Sequence, residues 1–502
     1  MNTIHQAQQY FHDQFSFPSW MTYDIFKNLS NKRERETVVT KNKILMTDTY
    51  NRTMAHMVGN DWKREEVFTL FLRKSKGAAN VVYGIRNILQ ELLSTPITKA
   101  EVDFAQQAIN DQGARGGNTY FNRDMRDHVL HEHQGYMPIT IKAVADGTLV
   151  KPTEPVMTIS GPGELVAWFE AMYLRIFYES CVATDAYYLS KIIGNRAIEF
   201  GNRSAVNQQM HHRGMEGCYV GGGYDKTSND MTAVLRPQFK SSGTMAHRYV
   251  AKFPTEDEAF QNAIQKTQSI GLLIDLIDSI SGLKKAIQLI KKYKDTDKII
   301  SVRLDSGNLS EQAVFFLTEM RKEGLLADRK GKVVVSDVSS IDAIKTVEQA
   351  VQQAGCKPEQ YIVYGLGGLL IAKDKLRDSI SAAFKMTQVD GKATGKLSND
   401  PIKEPIPGYP NVQIMQNGTL AGGIRKVVQQ SELSILDNPL LKTVYKNGTF
   451  HRTTDNDILA LDEARQQVLR SEKQVGYTNS ESPLTQTIRQ QVRTQFQKQS
   501  IK

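Results

Sequence analysis

The chain between residues 270 and 370 alternates short apolar segments with longer segments in which apolar residues recur every three or four positions. Four apolar segments end directly in charged, hydroxyl or glycine residues; they occupy 272–274, 299–302, 333–335 and 361–363. Short apolar runs of this kind are typical of buried strands, and the periodic segments between them are typical of amphipathic helices. The pattern predicts strand–helix units repeated about every 30 residues, which is an α/β architecture.

Serine residues mark the predicted helix starts. Ser281 with Gly282 precedes the first helix, Ser310 opens the second and Ser340 caps the third. Right-handed crossovers place the loops that follow parallel strands on one side of a sheet. The polar residues that end the four strands are therefore expected to meet at one face, in either a parallel barrel or a doubly wound sheet.

The pattern differs on both sides of this region. Residues 66–95 predict a strand followed by a helix from about 81 to 93, residues 141–162 are rich in strands and turns, and residues 164–201 predict a helical block. The first 40 residues are polar, and the last hundred residues have more turns and end in a polar tail.

The chain has 502 residues and a formal net charge of +9, which two kinds of partner could explain. One is nucleic acid bound by a basic surface. The other is a polyanionic small molecule bound by an enzyme. The segment 484–502 contains four basic residues and no acidic one, whereas basic residues elsewhere are interspersed with acidic residues. No basic stripe with interleaved aromatics is present, so the small-molecule interpretation is favoured.

Three widely separated cysteines, Cys181, Cys218 and Cys356, have neither metal-ligand spacing nor a disulfide framework, and we expect each to be buried. A membrane span is not expected, because no apolar run reaches about 18 residues. The amino-terminal residues lack the pattern of a signal peptide. A cytoplasmic location is therefore expected.

Arg303 and Asp305 are the strongest candidates for chemistry at a strand end. Residues two apart in an extended segment project to the same side. A carboxylate there could stabilise a developing positive centre, and a guanidinium could hold phosphate oxygens. A structural ion pair explains the same spacing equally well.

A glycine-rich turn and a histidine are further candidates. Gly365, Gly367 and Gly368 follow a predicted strand, and glycine permits both positive φ and close approach of a phosphate to backbone amides. A tight loop is the simpler explanation. His247 follows a small-residue turn and could accept a phosphoryl group or transfer protons, although a single histidine is more often structural.

Other candidates are weaker when each is considered alone. Ser228 lies in a hydroxyl-rich segment that could line a ligand pocket or cap a helix. Tyr50 and Phe200 are flanked by charged residues, which suits stacking on a flat anionic ring, although core packing is the default. The histidine pairs 211/212 and 131/133 suggest metal ligands, but no acidic or cysteine partner has a fitting offset, and a solvated loop is favoured.

Taken in order, these segments resemble the nicotinate and nicotinamide phosphoribosyltransferases, the type II phosphoribosyltransferases of NAD synthesis. The resemblance covers about residues 40–460. It rests on the following motifs: Thr47-Asp48-Thr49-Tyr50, Phe71-Leu72-Arg73-Lys74, Asp146-Gly147-Thr148, Gly161-Pro162, Glu199-Phe200-Gly201 with Arg203, Thr227-Ser228-Asn229, Gly243-Thr244-Met245-Ala246-His247, Arg303-Leu304-Asp305-Ser306-Gly307, Ser336-Asp337, and Gly365 with Gly367-Gly368.

The resemblance implies an irregular (β/α) barrel with a second α+β domain built from both chain ends. The expected division is 1–150 and 391–502 for the α+β domain, with 1–40 as an extension, and 151–390 for the barrel. The family transfers phosphoribose from 5-phosphoribosyl 1-pyrophosphate to the ring nitrogen of a pyridine. It is dimeric, with active sites shared between subunits, and it uses Mg²⁺ and, as a cosubstrate, ATP.

The resemblance also implies roles for individual residues. Asp305 supports the ribosyl cation, and His247 is phosphorylated by ATP. The phosphate-binding residues are Arg73, Arg303, Asp337, Gly365, Gly367 and Gly368, with Arg73 reaching from the other subunit. Asp275 lies near Mg²⁺ and pyrophosphate. The pyridine lies between Phe200 and the other subunit's Tyr50, with Arg203 and Ser228 nearby.

The choice between the two pyridines depends on Ser228. Nicotinamide-preferring relatives have an aspartate at this place, whereas a hydroxyl can donate to the carboxylate of nicotinate. This favours nicotinate phosphoribosyltransferase activity. Asp230 lies two residues on, and Asn308 and the segment 441–448 look more like the nicotinamide branch. The alternative outside these enzymes is a non-catalytic barrel that binds nucleic acid or regulates a partner.

Overall fold

The computed structural model describes residues 16–327, 331–415, 424–434, 437–451, 456–475 and 480–500. Residues 1–15 of the predicted extension and residues 501–502 of the basic tail lie outside this range. The strands are β1 (Glu65–Leu72), β2 (Asn80–Val82), β3 (Thr140–Ala143), β4 (Thr148–Val150), β5 (Pro155–Pro162), β6 (Ala197–Glu199), β7 (Lys226–Thr227), β8 (Lys240–Ser241), β9 (Ser269–Leu273), β10 (Ile299–Leu304), β11 (Val333–Val335), β12 (Ile362–Leu366), β13 (Ala382–Val389), β14 (Lys392–Ala393), β15 (Pro410–Met415), β16 (Ile424–Gln429), β17 (Lys442–Lys446), β18 (Thr449–Phe450) and β19 (Ser480–Glu481).

The α-helices are α1 (Tyr23–Asn28), α2 (Lys32–Thr40), α3 (Thr49–Met57), α4 (Ile85–Leu93), α5 (Lys99–Gly113), α6 (Arg123–Glu132), α7 (Gly163–Ala167), α8 (Glu170–Tyr173), α9 (Phe177–Ile193), α10 (Gln208–Gly222), α11 (Asp230–Leu235), α12 (His247–Val250), α13 (Glu256–Lys266), α14 (Ser279–Lys292), α15 (Leu309–Lys322), α16 (Ile341–Gln353), α17 (Pro358–Tyr361), α18 (Gly368–Ile371), α19 (Arg377–Ile380), α20 (Asp457–Val475) and α21 (Pro483–Ser500). Short 3-10 helices occupy Lys43–Leu45, Gly59–Lys63, Leu174–Ile176, Pro401–Lys403 and Gln430–Glu432.

The chain divides into two compact units. The first unit takes its residues from 1–180 and 376–502, and the second unit from 181–375. The boundaries predicted from the sequence were 151 and 390. They differ because β5 and β13, which fall between the two sets of boundaries, both pair with β1 in an antiparallel sheet of the first unit.

The second unit is built on a seven-stranded parallel sheet in the order β8-β7-β6-β12-β11-β10-β9. The sheet is curled as a half-barrel, which confirms the predicted parallel strand–helix pattern. The Met245 amide, which follows edge strand β8, donates to the Gly271 carbonyl of the opposite edge strand β9 at 3.5 Å. Along β10, Ile300, Val302 and Leu304 are buried. Arg303 therefore projects from the opposite face of this strand.

Side-chain caps set the starts of three helices in this unit. Asp278 caps α14, Asn308 caps α15 and Ser340 caps α16, each by accepting the amide of the residue three positions later. Ser340 is the cap that the sequence predicted. The other two helices begin before the predicted serines, because the preceding Asp and Asn side chains satisfy the first free amides.

The first unit contains a seven-stranded sheet in the order β14-β13-β1-β5-β3-β17-β18, in which every adjacent pair is antiparallel. Smaller sheets join β15-β16-β19 and β2-β4. The helix predicted from residue 81 begins at Ile85 instead, because residues 80–82 pair with β4. Gly84 has φ of +102°, and the Asp146 side chain accepts the amides of Ile85 and Arg86 at 3.0 and 3.2 Å. A residue distant in sequence therefore caps α4.

Two smaller expectations have clear outcomes. The predicted helical block at 164–201 forms α7, α8 and α9, but its last residues form strand β6. All three cysteines are buried, as predicted. No helix among the described residues is long and apolar enough to cross a membrane.

Candidate active site

The end of β10 places Arg303 at the centre of a hydrogen-bonded group in the second unit. Its guanidinium donates to Asp305 Oδ1 at 2.6 Å, to Ser336 Oγ at 2.9 Å and to Thr244 Oγ1 at 3.1 Å. These partners follow three different strands, so the predicted convergence of strand ends is present here. The Arg303 and Asp305 side chains are 18% and 21% exposed, which leaves both accessible to a ligand.

One carboxylate oxygen of Asp305 is hydrogen-bonded, and the other has no hydrogen-bond partner in the described part of the chain. Oδ1 accepts from Arg303 and, at 2.7 Å, from Ser336 Oγ. Ser336 also contacts the Leu304 carbonyl at 2.9 Å, which holds its hydroxyl at the strand end. The arrangement presents Oδ2 to a ligand while Oδ1 fixes the carboxylate plane. Arg303 and Asp305 therefore form an ion pair, and the Asp305 carboxylate is at the same time a candidate reactive group.

Asp275 and His247 form a second polar pair at the end of β9. His247 Nε2 lies 3.2 Å from Asp275 Oδ1, and Ser306 Oγ donates to Asp275 Oδ2 at 2.5 Å. The His247 side chain is 47% exposed, whereas the Asp275 side chain is only 4% exposed. A carboxylate that accepts from Nε2 keeps the proton there, so Nδ1 carries the lone pair. An accessible imidazole in this state is a possible nucleophile.

Gly365, inside β12, packs directly against Phe200. A Cβ added to Gly365 would lie 2.5 Å from Phe200 Cδ2, which no real side chain tolerates. The Phe200 amide donates to the Leu366 carbonyl at 2.8 Å, which fixes the backbone of Phe200 next to the turn. Gly367 is the N-cap of α18 and Gly368 is its first residue, and none of the three glycines has positive φ. Close approach, and not positive φ, is therefore the reason for glycine at Gly365.

Phe200 also contacts the charged group described above. The Arg303 guanidinium carbon lies 5.6 Å from the centre of the Phe200 ring, within the range of cation–π attraction. Ser228 is exposed, and its amide donates to the Glu199 carbonyl at 2.8 Å. Arg203 is exposed on the segment after β6, and Asp337 is exposed after β11 with φ of +60°. The structure records no side-chain contact from Arg203 or Asp337 to the strand-end group.

A buried network behind Phe200 and Ser228 was not predicted from the sequence. Glu199 Oε2 accepts from Thr227 Oγ1 at 2.7 Å and lies 2.9 Å from His211 Nε2. Both the Glu199 and His211 side chains are fully buried. His211 Nδ1 lies 2.9 Å from Thr232 Oγ1. The expectation that residues 211 and 212 form a solvated loop is wrong, because α10 carries His211 into the interior, where Glu199 is its acidic partner.

Tyr50 and Arg73 belong to the first unit. Tyr50 lies on α3, is half-exposed, and donates its hydroxyl to Glu170 Oε2 at 2.5 Å. Burial raises its pKa, and the hydrogen bond to Glu170 adds to the shift. Arg73 follows β1, and burial lowers its pKa, as does the nearby charge of Arg377. An arginine held near a second arginine is a suitable site for an anion.

Asp275 is the residue best suited to hold a divalent cation at the strand ends. Mg²⁺ prefers oxygen ligands and is usually bound through one or two carboxylates plus substrate phosphates. Asp275 supplies a nearly buried carboxylate, and the hydroxyl of Ser306 contacts it. Asp305 is less suitable because the Arg303 guanidinium neutralises it at 2.6 Å. The donor set therefore fits an ion that is completed by substrate oxygens.

The fold is shared with a solved nicotinic acid phosphoribosyltransferase. The crystal structure of human nicotinic acid phosphoribosyltransferase matches with a TM-score of 0.65 at 19% identity, covering 88% of this chain and 98% of that chain. At this level of identity, the match establishes the fold.

The proteins related to this chain in sequence share one name. A Bacillus subtilis protein named nicotinate phosphoribosyltransferase is 27% identical over 381 residues, which is 73% of this chain and 72% of that protein. Arabidopsis thaliana nicotinate phosphoribosyltransferase 2 is 24% identical over 445 residues, covering 74% of this chain and 76% of that protein. The chain is thus homologous to proteins named nicotinate phosphoribosyltransferase in bacteria, plants and animals. No protein-family model matches it.

Proposed function

We propose that this protein is a nicotinate phosphoribosyltransferase of NAD synthesis. It forms nicotinate mononucleotide and pyrophosphate from nicotinate and 5-phosphoribosyl 1-pyrophosphate, with coupling to ATP. The observation that supports this most directly is the joint contact of Arg303, Asp305, Ser336 and Thr244 at the strand ends, in a chain whose curated relatives bear that name.

The chemistry requires a carboxylate near the sugar. The bond between the anomeric carbon and the pyrophosphate oxygen breaks, and the oxygen leaves with the electron pair. The pyridine nitrogen lone pair then forms the new bond to that carbon. Positive charge develops on the ribose in between, and we assign its stabilisation to the Asp305 Oδ2 oxygen. Arg303 binds the phosphate oxygens through its guanidinium, and Asp337, Gly365, Gly367 and Gly368 bind them through backbone amides.

A bound Mg²⁺ would supply positive charge to the leaving pyrophosphate. We assign its protein carboxylate to Asp275, with Ser306 holding Oδ2 in place. The same carboxylate orients His247 through Oδ1. We assign His247 as the acceptor of the terminal phosphoryl group of ATP. Nδ1 is the nucleophile, and ADP leaves with the electron pair of the broken bond.

The pyridine site is assigned to Phe200, Arg203 and Ser228. An aromatic face suits a flat heterocycle, and a hydroxyl with a nearby guanidinium suits a carboxylate. Ser228 is tied by its amide to the end of β6, whereas Asp230 is the first residue of α11. This placement supports Ser228, and not Asp230, as the residue that contacts the substituent of the pyridine and distinguishes nicotinate from nicotinamide.

Tyr50 and Arg73 are assigned to the neighbouring subunit's site in a homodimer, and the curled sheet to an irregular (β/α) barrel. The exposure of three large apolar side chains on α11 supports association between subunits; they are Met231, Val234 and Leu235. The location is proposed to be the cytoplasm, where the substrates of NAD synthesis are found.

A paired-substrate assay tests the proposal. Purified protein is incubated with phosphoribosyl pyrophosphate, Mg²⁺ and either nicotinate or nicotinamide, with and without ATP, and the products are identified by mass. We expect nicotinate mononucleotide, formed faster with ATP. Nicotinamide mononucleotide alone would assign the protein to the nicotinamide branch. No product from either pyridine would support a non-catalytic binding protein.

A matched pair of variants tests the pyridine assignment. Ser228→Asp places a carboxylate opposite the carboxylate of nicotinate, and like-charge repulsion should raise the KM for nicotinate by about tenfold or more. Asp230→Asn is the control, and its substrate preference should match that of the parent protein. A larger change in preference with Asp230→Asn than with Ser228→Asp would reject the assignment.

A further inference from the structure

The carboxyl end of α6 in the first unit brings two histidines and a glutamate together. His128 Nε2 lies 3.2 Å from His133 Nε2, and His128 Nδ1 lies 2.8 Å from Glu132 Oε1. One ligand atom from each of these three residues lies within 4.8 Å of the other two. In the sequence, His131 and His133 form a pair for which no acidic partner has a fitting offset. The structure instead pairs His128 with His133, and Glu132 is the acidic residue.

The glutamate determines which histidine nitrogen is free to bind a cation. A carboxylate beside His128 Nδ1 keeps a proton on that nitrogen, which leaves the lone pair on Nε2. His128 Nε2 therefore faces His133 Nε2 as an acceptor. Either His133 donates a proton to it, or a cation takes the lone pairs of both nitrogens.

The distance between the two nitrogens fits a tetrahedral metal. With bonds of about 2.05 Å from Zn²⁺ to each nitrogen, a tetrahedral angle gives a separation of about 3.3 Å. The observed 3.2 Å agrees with this value without any rearrangement.

The surroundings leave room for an ion and its remaining ligands. The group opens on a cavity of about 360 Å³ whose lining includes Trp62, Asp124, Asp127 and His131. Asp127 is held by Arg123 at 2.8 Å, and Lys63 also lines the cavity. Of the acidic side chains at this cavity, Glu132 is the one in contact with His128. Two imidazole nitrogens, one of them on a ring whose other nitrogen faces a carboxylate, suit Zn²⁺ and similar transition metals and not Mg²⁺.

We propose that His128, Glu132 and His133 form a binding site for a Zn²⁺-class divalent cation in the first unit. The site uses none of the residues assigned to phosphoribosyl transfer. Its ion links the last turn of α6 to the residue that ends the helix, and water from the cavity completes the coordination. Binding an ion to the folded chain stabilises the unit by mass action.

Titration calorimetry of the chelator-treated full chain with Zn²⁺ tests the site, after removal of any affinity tag. We expect one ion per chain, with a Kd of about 1–10 μM or tighter at pH 7.5. Co²⁺ should bind at the same site, give the visible absorption of a tetrahedral ion, and quench Trp62, whose ring centre lies 5.0 Å from that of His128. Mg²⁺ at millimolar concentration should give neither signal.

Three substitutions separate this site from adventitious binding. His133→Gln should weaken binding by about 100-fold, and Glu132→Gln, at an exposed position, by about tenfold or more. His131→Gln is the control, because it removes an exposed histidine on the same helix that lies outside the three-residue group. We expect its Kd to equal that of the parent protein. Circular dichroism of the metal-free variants checks folding.

Two results would overturn the proposal. One is the absence of saturable binding at one ion per chain, which would leave the pair as an ordinary hydrogen bond between two imidazoles. The other is an equal loss of affinity in His131→Gln and Glu132→Gln, which would indicate scattered surface histidines.

Discussion

Gly365→Ala is the most direct test of the packing that shapes the candidate active site. The new Cβ would lie 2.5 Å from Phe200 Cδ2, whereas ordinary contacts begin at 3.4 Å, so the ring must move by about 0.9 Å. The ring cannot follow by a simple backbone shift, because the Phe200 amide is bonded to the Leu366 carbonyl at 2.8 Å. Overpacking of this kind costs about 1–3 kcal/mol.

Two measurements follow from that value. A cost of about 2 kcal/mol should lower the Tm of the second unit by roughly 4–8 °C in calorimetry. Displacement of the ring should also raise the KM for the pyridine by about tenfold or more, because Phe200 is assigned to pyridine stacking. Gly243→Ala in the same unit is the control for stability, since its added Cβ would meet no other described group within 4 Å and its φ is ordinary.

A double-mutant cycle assigns the cost to the ring itself. Phe200→Leu shortens the side chain and should recover at least half of the stability lost in Gly365→Ala, an interaction energy of about 1 kcal/mol. Strict additivity of the two changes, or a Tm for Gly365→Ala equal to that of the parent protein, would refute the packing argument.

The remaining predictions concern three residues of the second unit and one of the first. Asp305→Asn should lower kcat in the transfer assay by about 100-fold or more with a change in Tm of less than about 2 °C; retained turnover would remove its assigned role. His247→Ala should abolish ATP stimulation but leave slow transfer, and unchanged stimulation would contradict phosphorylation at this residue. His211→Gln keeps a donor near Glu199 and should raise the KM for the pyridine without loss of ATP stimulation. His211→Ala should also lower the Tm by several degrees, because it leaves Glu199 buried without this partner. Equal behaviour of the two variants would argue against a positioning role for His211. Burial and the charge of Glu164 raise the pKa of Glu66 to about 7. The stability that Glu66 provides below its unfolded pKa is therefore lost as the pH rises through 7. Glu66→Gln should accordingly stabilise the protein at pH 8 by about 1 kcal/mol after solvent screening and have little effect at pH 5.

Much of the candidate site could be predicted because it depends on short-range pattern. Arg303 and Asp305 share a side of one extended strand, and that follows from a period of two in the sequence. The convergence of strand ends follows from the handedness of parallel crossovers. Whether the two residues form an ion pair could not be decided from spacing, since Ser336 and Thr244, from other strands, hold the guanidinium as well.

The partners of histidines could not be predicted in the same way. His211 looked solvated because no acidic residue has a suitable offset, yet Glu199 meets it across the start of α10. Asp146 caps α4 from about 60 residues away in sequence, so the predicted start of that helix was early. Such partners are set by packing, which brings together residues that no local period relates.

The sequence by itself determined the strand–helix order of the second unit, the strand-end polar residues and the family resemblance, because each depends on neighbouring residues or on motif order. Only the tertiary structure decided the division at 180 and 375, the need for glycine beneath Phe200, and the pairing of His128 with His133. The first two depend on contacts between segments distant in the chain, which exist only once the hydrophobic cores have formed. The third depends on the backbone at the end of α6, where His133 leaves the helix beside His128.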